Sequence, residues 1–314
     1  MPAPLPPGPR LDTAPAEVVL RRLQLTVTRR LDGLLQGDHL GLLPGGGSEA
    51  GESREYRPGD DVRRMDWPVT ARTTVPHVRE TVADRELETW ALVDLSASLD
   101  FGTGRCEKRD LAIAGLAAVT HLTVRGGNRI GAVLLNGERV VRVPARSGRV
   151  AAQALLRQAI GLPRAAPGEP TDLAGAIAGL SRPPRRRGLA VVVSDFLADP
   201  ATWERPLRAL QARHQVLAIE VLDPRELELP SVGVLTVVDP ETGRVHEVRT
   251  GRRLRERYAA AAREQRAQIA AGLRRAGAGH LQLRTDRDWV LDVVRYVARQ
   301  RRDRAYGAAP PATR

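Results

Sequence analysis

Cysteine is nearly missing: Cys106 stands alone in 314 residues. No intrachain disulfide can form and no cysteine-built metal site exists, which excludes a secreted disulfide scaffold. Lysine is as scarce, since Lys108 is the only one among 49 basic residues. Aromatic residues make up 3% of the chain, so its core must come from Leu, Val, Ile and Ala. Long apolar runs are missing too. The longest helical one, Leu111 to Val124, contains Thr120, His121 and Thr123 and falls short of the roughly 20 residues that a membrane span requires. The start, Met1 to Pro15, is Pro-rich, carries Arg10 and Asp12, and lacks the apolar stretch of a signal peptide. A cytoplasmic location is expected.

What is there is an ordinary globular composition, 42% hydrophobic and 27% charged. The length predicts one or two domains with a core that needs no staples. The formal net charge is +12, carried by arginine. Its planar fork suits carboxylates and phosphates, so the excess could serve an acidic protein, a nucleic acid or an anionic membrane; Arg spread over solvated faces explains it equally.

Residues 1–15 and 305–314 read as disordered tails. A helix is expected over Ala16 to Gln36, with Leu20, Leu23, Val27, Leu31 and Leu34 on one face. Gly37 ends it. A loop-rich segment follows, with a Gly45-Gly46-Gly47 turn and a crowd of opposite charges from Arg54 to Trp67. Its arginines could pair with Asp60, Asp61 and Asp66 and pin this 16–85 region to the rest, or form part of a partner surface. An edge strand is expected over Thr74 to Val82. From 86 to 304 short apolar strands alternate with helices. Strands are expected at Trp90–Val93, Ile130–Leu135, Leu189–Val193, Val216–Val221 and His280–Leu283. Helices are expected at Glu107–Val124, Arg149–Ile160, Thr171–Leu180, Thr202–Ala212, Arg252–Arg275 and Asp288–Arg301. Asn136-Gly137 marks a hairpin into Val140–Val143, and Val234–Val238 with Arg244–Val248 marks another. This alternation predicts a doubly wound α/β domain with a mainly parallel sheet covered on both faces.

Ligands of such sheets bind beyond the carboxyl ends of the strands. Three exits there carry oxygen. Asp94-Leu95-Ser96-Ala97-Ser98 follows the first strand, Thr171-Asp172 opens a helix, and Ser194-Asp195 follows Leu189–Val193. With both strands central, Asp94, Ser96, Ser98, Thr171 and Asp195 converge. Oxygen-only ligands suit a hard cation such as Mg²⁺. Two carboxylates balance its charge, and a position left vacant could take a partner's carboxylate. No adjacent His or Glu stands ready as general base, so the set reads as a binding device. Taken singly, Thr171 and Asp195 could be N-caps, and Ser96 and Ser98 plain loop residues.

Asp94-Leu95-Ser96-Ala97-Ser98 resembles the D-x-S-x-S signature of von Willebrand factor A-like domains, whose metal-ion-dependent adhesion site also uses a later Thr and a later Asp. Thr171 and Asp195 occupy those places. The stretch Arg54 to Trp67 (REYRPGDDVRRMDW), with Thr70-Ala71-Arg72, Val78-Arg79-Glu80, Phe101-Gly102 and Lys108, is similar to the signature of the domain of unknown function 58 family. It departs at Ala50, where that family usually has an aromatic. The resemblance spans roughly residues 37–300. It implies a von Willebrand factor A-like fold, Mg²⁺ or Mn²⁺ at the five residues, and a non-enzymatic adaptor or accessory role with a MoxR-type AAA+ ATPase, because members are commonly encoded beside one.

Other signals are weaker. Gly102 to Lys108 lacks the Gly before Lys and the Ser/Thr after it that a Walker loop needs, and Lys108 is expected at the surface. The six histidines show no zinc-ligand spacing. Arg182 to Arg187 and Arg299 to Arg304 are basic runs without the aromatics that stack on single strands. A basic nucleic-acid-binding protein and a Mg²⁺-dependent phosphoester hydrolase are the alternatives to the interaction module.

Overall fold

A computed structural model describes residues 16–31, 34, 53–56, 65–79, 87–166, 168–180, 188–238 and 244–307. The Pro-rich start, the Gly45-Gly46-Gly47 turn, Arg57 to Arg64, Glu80, the Arg182 to Arg187 run and the last seven residues lie outside the described residues, as does the side chain of Arg54.

The chain opens with α1 (Ala16–Thr26), which widens into a π-helical turn over Val27–Leu31. Most of its periodic face does what the spacing predicts: Leu20, Leu23, Val27 and Leu31 are buried, each adding about 1.5–3 kcal/mol if fully removed from water, but Leu34, expected on the same face, is 49% exposed. The buried residues join the same core as the sheet. Arg157 reaches Glu17 at 2.6 Å and Arg30 reaches Asp288 at 2.5 Å, holding the helix to two neighbours.

The signature region contains β1 (Ser53–Glu55), α2 (Trp67–Thr73) and β2 (His77–Arg79). The helix was not expected. Its signal is Asp66-Trp67-Pro68, a capping carboxylate followed by Pro in the first turn; Asp66 accepts from the Val69 N–H at 3.3 Å. Thr74 is the left-handed residue that ends this helix, so the strand expected from Thr74 starts only at His77. It pairs antiparallel with β1 in a separate two-stranded sheet, not on the edge of the main one.

The remaining elements follow in order. They are β3 (Glu88–Asp94), α3 (Lys108–Arg125), β4 (Arg129–Asn136), β5 (Arg139–Arg146), α4 (Arg149–Ile160), α5 (Leu173–Leu180) and β6 (Gly188–Ser194). Then come α6 (Pro200–Gln211), β7 (Gln215–Leu222), the hairpin β8 (Val234–Val238) and β9 (Val245–Arg249), α7 (Arg252–Arg275), β10 (Gly279–Arg284) and α8 (Trp289–Gly307). The last helix runs past the expected end at Arg301.

Six strands form the main sheet in the order β10-β7-β6-β3-β4-β5. All neighbours are parallel except β4 and β5, which the Asn136-Gly137 turn joins as an antiparallel hairpin with Gly137 at φ 58°. Strand residues alternate between two cores. Ala91 and Val93 face α1, α3, α4 and α8, while Trp90 and Leu92 face α5, α6 and α7. That is the doubly wound arrangement. As the composition requires, the core is mostly aliphatic. Trp203 and Phe196 are exceptions, packed edge to face at 5.4 Å on the α6–α7 side.

The order of connection fixes where a ligand can sit. The chain leaves β3 in one direction across the sheet, through β4 and β5, and returns to the other side of β3 at β6. The crevice between the carboxyl ends of β3 and β6 is the topological switch point.

Candidate functional site

Asp94 is the last residue of β3, and Ser194 the last of β6, with Asp195 next. The parallel pairing of the two strands brings both exits together. Asp94 Oδ1 accepts from the Ser96 N–H at 3.0 Å and from its hydroxyl at 2.6 Å. Asp94 Oδ2 accepts from the Ser194 hydroxyl at 2.8 Å. The Ser96 and Ser98 hydroxyls stand 3.3 Å apart, and Ser98 is near enough to the Asp195 carboxylate to favour its charge. Asp94, Ser96 and Ser98 are thus one connected group, with the Asp195 charge close beside it.

Thr171 is not hydrogen-bonded to that group. It is partly buried at the end of the 161–171 loop, which lies at the same end of the sheet: Arg109 Nη2 donates to the Leu162 carbonyl, and Arg164 pairs with Asp100 at 2.9 Å. The capping role falls to its neighbour, since Asp172 Oδ1 accepts from the Gly175 N–H at 2.8 Å.

The expectation for Lys108 is overturned. It is 1% exposed, and its ammonium donates to Asp195 Oδ2 at 2.8 Å and to Glu226 Oε1. The reason is that α3 has small and apolar residues all round and lies inside the core, so its first turn is covered as well. Glu226 also takes Arg266 at 3.0 Å; Arg266 bonds Glu220 at 2.9 Å and the Asp195 carbonyl at 3.0 Å. His280 and Gln282 complete the shell of Glu220 at 2.7 and 3.1 Å. Lys108, Ser194, Glu220, Glu226, Arg266 and His280 all escaped the choice of site residues. Two had a signal: Lys108 as the sole lysine, and Glu220 as a charge inside an apolar strand, which must be partnered to be buried.

Electrostatics divide the two carboxylates. Burial pushes the Asp94 carboxyl up to about 6, aided by the Asp195 charge and opposed by the bonds from Ser96 and Ser194. Burial works against the Asp195 charge as well, but the Lys108 ammonium, with Ser98 and the Leu197 N–H, holds that carboxyl below the usual range. Around the crevice stand four carboxylates, Asp94, Asp195, Glu220 and Glu226, against two fixed cations, Lys108 and Arg266. With all four ionised the carboxylates outnumber Lys108 and Arg266, and His280 offsets part of that excess on Glu220 when it is protonated.

The donor set is oxygen only and suits a hard cation. Among the described residues no group of three or more His, Cys, Asp and Glu is placed to hold a metal by itself. The hydroxyls of Ser96 and Ser98 would therefore have to contribute. Cys106 offers no chemistry here: burial and the nearby Asp110, Asp223 and Glu107 charges push its thiol up to about 12, so it stays protonated. The Gly102-Thr103-Gly104 loop is structural. Asp223, fully buried at the end of β7, accepts from the Thr103 N–H and hydroxyl at 2.7 Å each and from the Thr285 hydroxyl at 2.6 Å.

The family model described as "Protein of unknown function DUF58" matches residues 52–268. The chain belongs to this family. DUF58 membership agrees with the resemblance of the Arg54–Trp67 stretch, which falls within the match. "Uncharacterized protein Rv1480" of Mycobacterium tuberculosis is 59% identical over 292 residues, covering 93% of this DUF58 chain and 92% of its own. "Uncharacterized protein MAV169" of Mycobacterium avium is 53% identical over 163 residues, covering 52% of this chain and 96% of its own. Among solved structures, the hypothetical protein BatB from Bacteroides thetaiotaomicron aligns with 16% identity and a TM-score of 0.41 over 69% of this chain and 99% of BatB. A von Willebrand factor type A protein from Catenulispora acidiphila aligns with 15% identity and a TM-score of 0.30 over 47% of this chain and 35% of its own. No described helix of this DUF58 protein is long and apolar enough to cross a membrane.

Proposed function

We propose that this DUF58 protein is a non-enzymatic protein-interaction module of the von Willebrand factor A-like kind, working in the cytoplasm. Its Asp94, Ser96, Ser98 and Asp195, with Thr171 as fifth oxygen donor, take a hard divalent cation, Mg²⁺ or Mn²⁺. The observation that carries this reading is the cluster at the switch point: Asp94 bonded to the Ser96 and Ser194 hydroxyls, the Ser98 hydroxyl 3.3 Å from that of Ser96, and the buried Asp195 close enough to raise the Asp94 carboxyl. Two acidic groups are buried side by side there, and Asp94 is costly to ionise without a further cation.

Each side chain has a role. Asp94 and Asp195 supply charge; Ser96 fixes the orientation of the Asp94 carboxylate through its hydroxyl, with the Ser98 hydroxyl beside it; Ser194 locks the far oxygen of Asp94. A bound ion would supply a Lewis-acidic anchor for a carboxylate offered by another protein. The partner suggested by family resemblance is a MoxR-type AAA+ ATPase, with the DUF58 protein as its adaptor. The test is co-purification with the host's MoxR-type ATPase in Mg²⁺ and in EDTA. Capture in Mg²⁺ that is lost in EDTA and in Asp94→Ala is expected. Capture indifferent to both would refute the ion-dependent reading, and no capture in Mg²⁺ would refute the partner.

A further inference from the structure

The crevice already contains a cation of its own. Lys108 reaches it from the first residue of α3, with the ammonium between Asp195 and Glu226. In a chain whose other basic residues are all arginine, this position has the compact, three-donor ammonium on a flexible stem. A guanidinium is wider and planar, with its donors fixed in a fork. The second contact matters as much. Glu226 is held from its other oxygen by Arg266, which is anchored in turn on Glu220 and on the Asp195 carbonyl. Glu226 is therefore a fixed acceptor that keeps the ammonium paired if Asp195 is taken away.

We propose that Lys108 is a built-in competitor for Asp195, so that the crevice accepts a divalent cation only by outbidding the ammonium, which falls back on Glu226. This rests on the cation-site reading above and adds its selectivity. A monovalent ion carries no more charge than the ammonium and gives none of its hydrogen bonds, so Na⁺ and K⁺ do not displace it. A divalent ion brings the second charge that the excess of carboxylates calls for. The competition lowers affinity for the ion, and removing either partner of the Lys108–Glu226 pair shifts it in opposite directions.

The test is calorimetric titration of MgCl₂ and MnCl₂ into the full chain, wild type, Lys108→Met and Glu226→Gln, with circular dichroism to verify folding. Lys108→Met is expected to bind the ion about tenfold more tightly than wild type. Glu226→Gln, which leaves the ammonium only Asp195 to pair with, is expected to bind it several-fold more weakly. A merely structural role would weaken both. Replacing the background NaCl by KCl is expected to leave all affinities unchanged. If wild type binds the ion and a folded Lys108→Met binds it no better, competition is overturned while the cation site stands. Should Lys108→Met fail to fold, Glu226→Gln decides: affinity equal to or above wild type overturns the proposal. If neither wild type nor Lys108→Met binds any divalent ion, the site reading falls and the competition with it. Binding by Lys108→Met alone supports both.

Discussion

Ser194 donates its hydroxyl to Asp94 Oδ2 at 2.8 Å and accepts the Phe196 N–H at 3.1 Å, tying the last residue of β3 to the turn after β6. One hydroxyl thus joins the two strand ends between which the chain reverses its direction of winding. Ser194→Ala removes a donor from a buried carboxylate and is expected to cost about 1–3 kcal/mol. Because that bond favours the ionised form of Asp94, the loss is larger at pH 8 than at pH 5. Urea unfolding at the two values checks this; equal losses would contradict it.

Asp94 also sets a pH dependence. Its carboxyl titrates near 6 in the folded protein against an ordinary 3.8. Between these values the folded state keeps a proton that the unfolded chain has released. Stability contributed by this group is therefore complete below the lower value and is lost as pH rises through about 6. Asp94→Asn carries no such proton. In EDTA its stability relative to wild type is expected to rise by about 2 kcal/mol between pH 4 and pH 7, read from denaturation midpoints. Parallel pH profiles for the two proteins would contradict the burial argument.

Asp223 has the opposite sign. Burial opposes its charge, but the bonds from Thr103 and Thr285 and the Arg225 N–H outweigh that and lower its carboxyl below 3.8. Its stabilisation is present above that ordinary value and disappears as pH falls below it. Asp223→Ala is expected to cost on the order of 3 kcal/mol at pH 7 through unpaired buried donors. Hydrogen exchange provides the local check: the Thr103 and Arg225 amides lose protection before the sheet does. Unchanged protection there would refute the pinning role.

Gly104 is needed for the same loop to lie against β10. A Cβ at this position would stand 2.6 Å from the Thr285 carbonyl carbon and oxygen, which are backbone and cannot swing aside. Gly104→Ala is expected to destabilise the fold by about 1–3 kcal/mol, measured by thermal unfolding. A neutral substitution would show that the loop can lift away.

Much of this architecture was legible in the residues. The helices Arg149–Ile160 and Arg252–Arg275 begin after Gly148 and Gly251 and carry clear periodic faces, so their ends fall where expected. The apolar strands that end in Asp94 and Ser194 announced themselves by ending in polar residues. Three features were misread. Asp66 capping a helix looked like one more charge in an ion-paired loop, because cap and ion-pair partner are the same residue type. Thr171 and Asp172 stand side by side, and only geometry shows that the cap is Asp172. Lys108 looked like a first-turn surface residue, since a solvated lysine is the ordinary case; its burial goes with carboxylates just after β6 and in the turn after β7, Asp195 and Glu226, far away in sequence.

The most direct measurement is a titration of Mn²⁺ followed by electron paramagnetic resonance on metal-stripped protein. One Mn²⁺ per chain is expected to lose its free-ion signal, to regain it on adding excess Mg²⁺, and to remain free with Asp94→Ala or Asp195→Ala. A wild-type protein that leaves all the Mn²⁺ free, or variants that hold it as well as wild type, would contradict a cation site at the Asp94–Asp195 crevice.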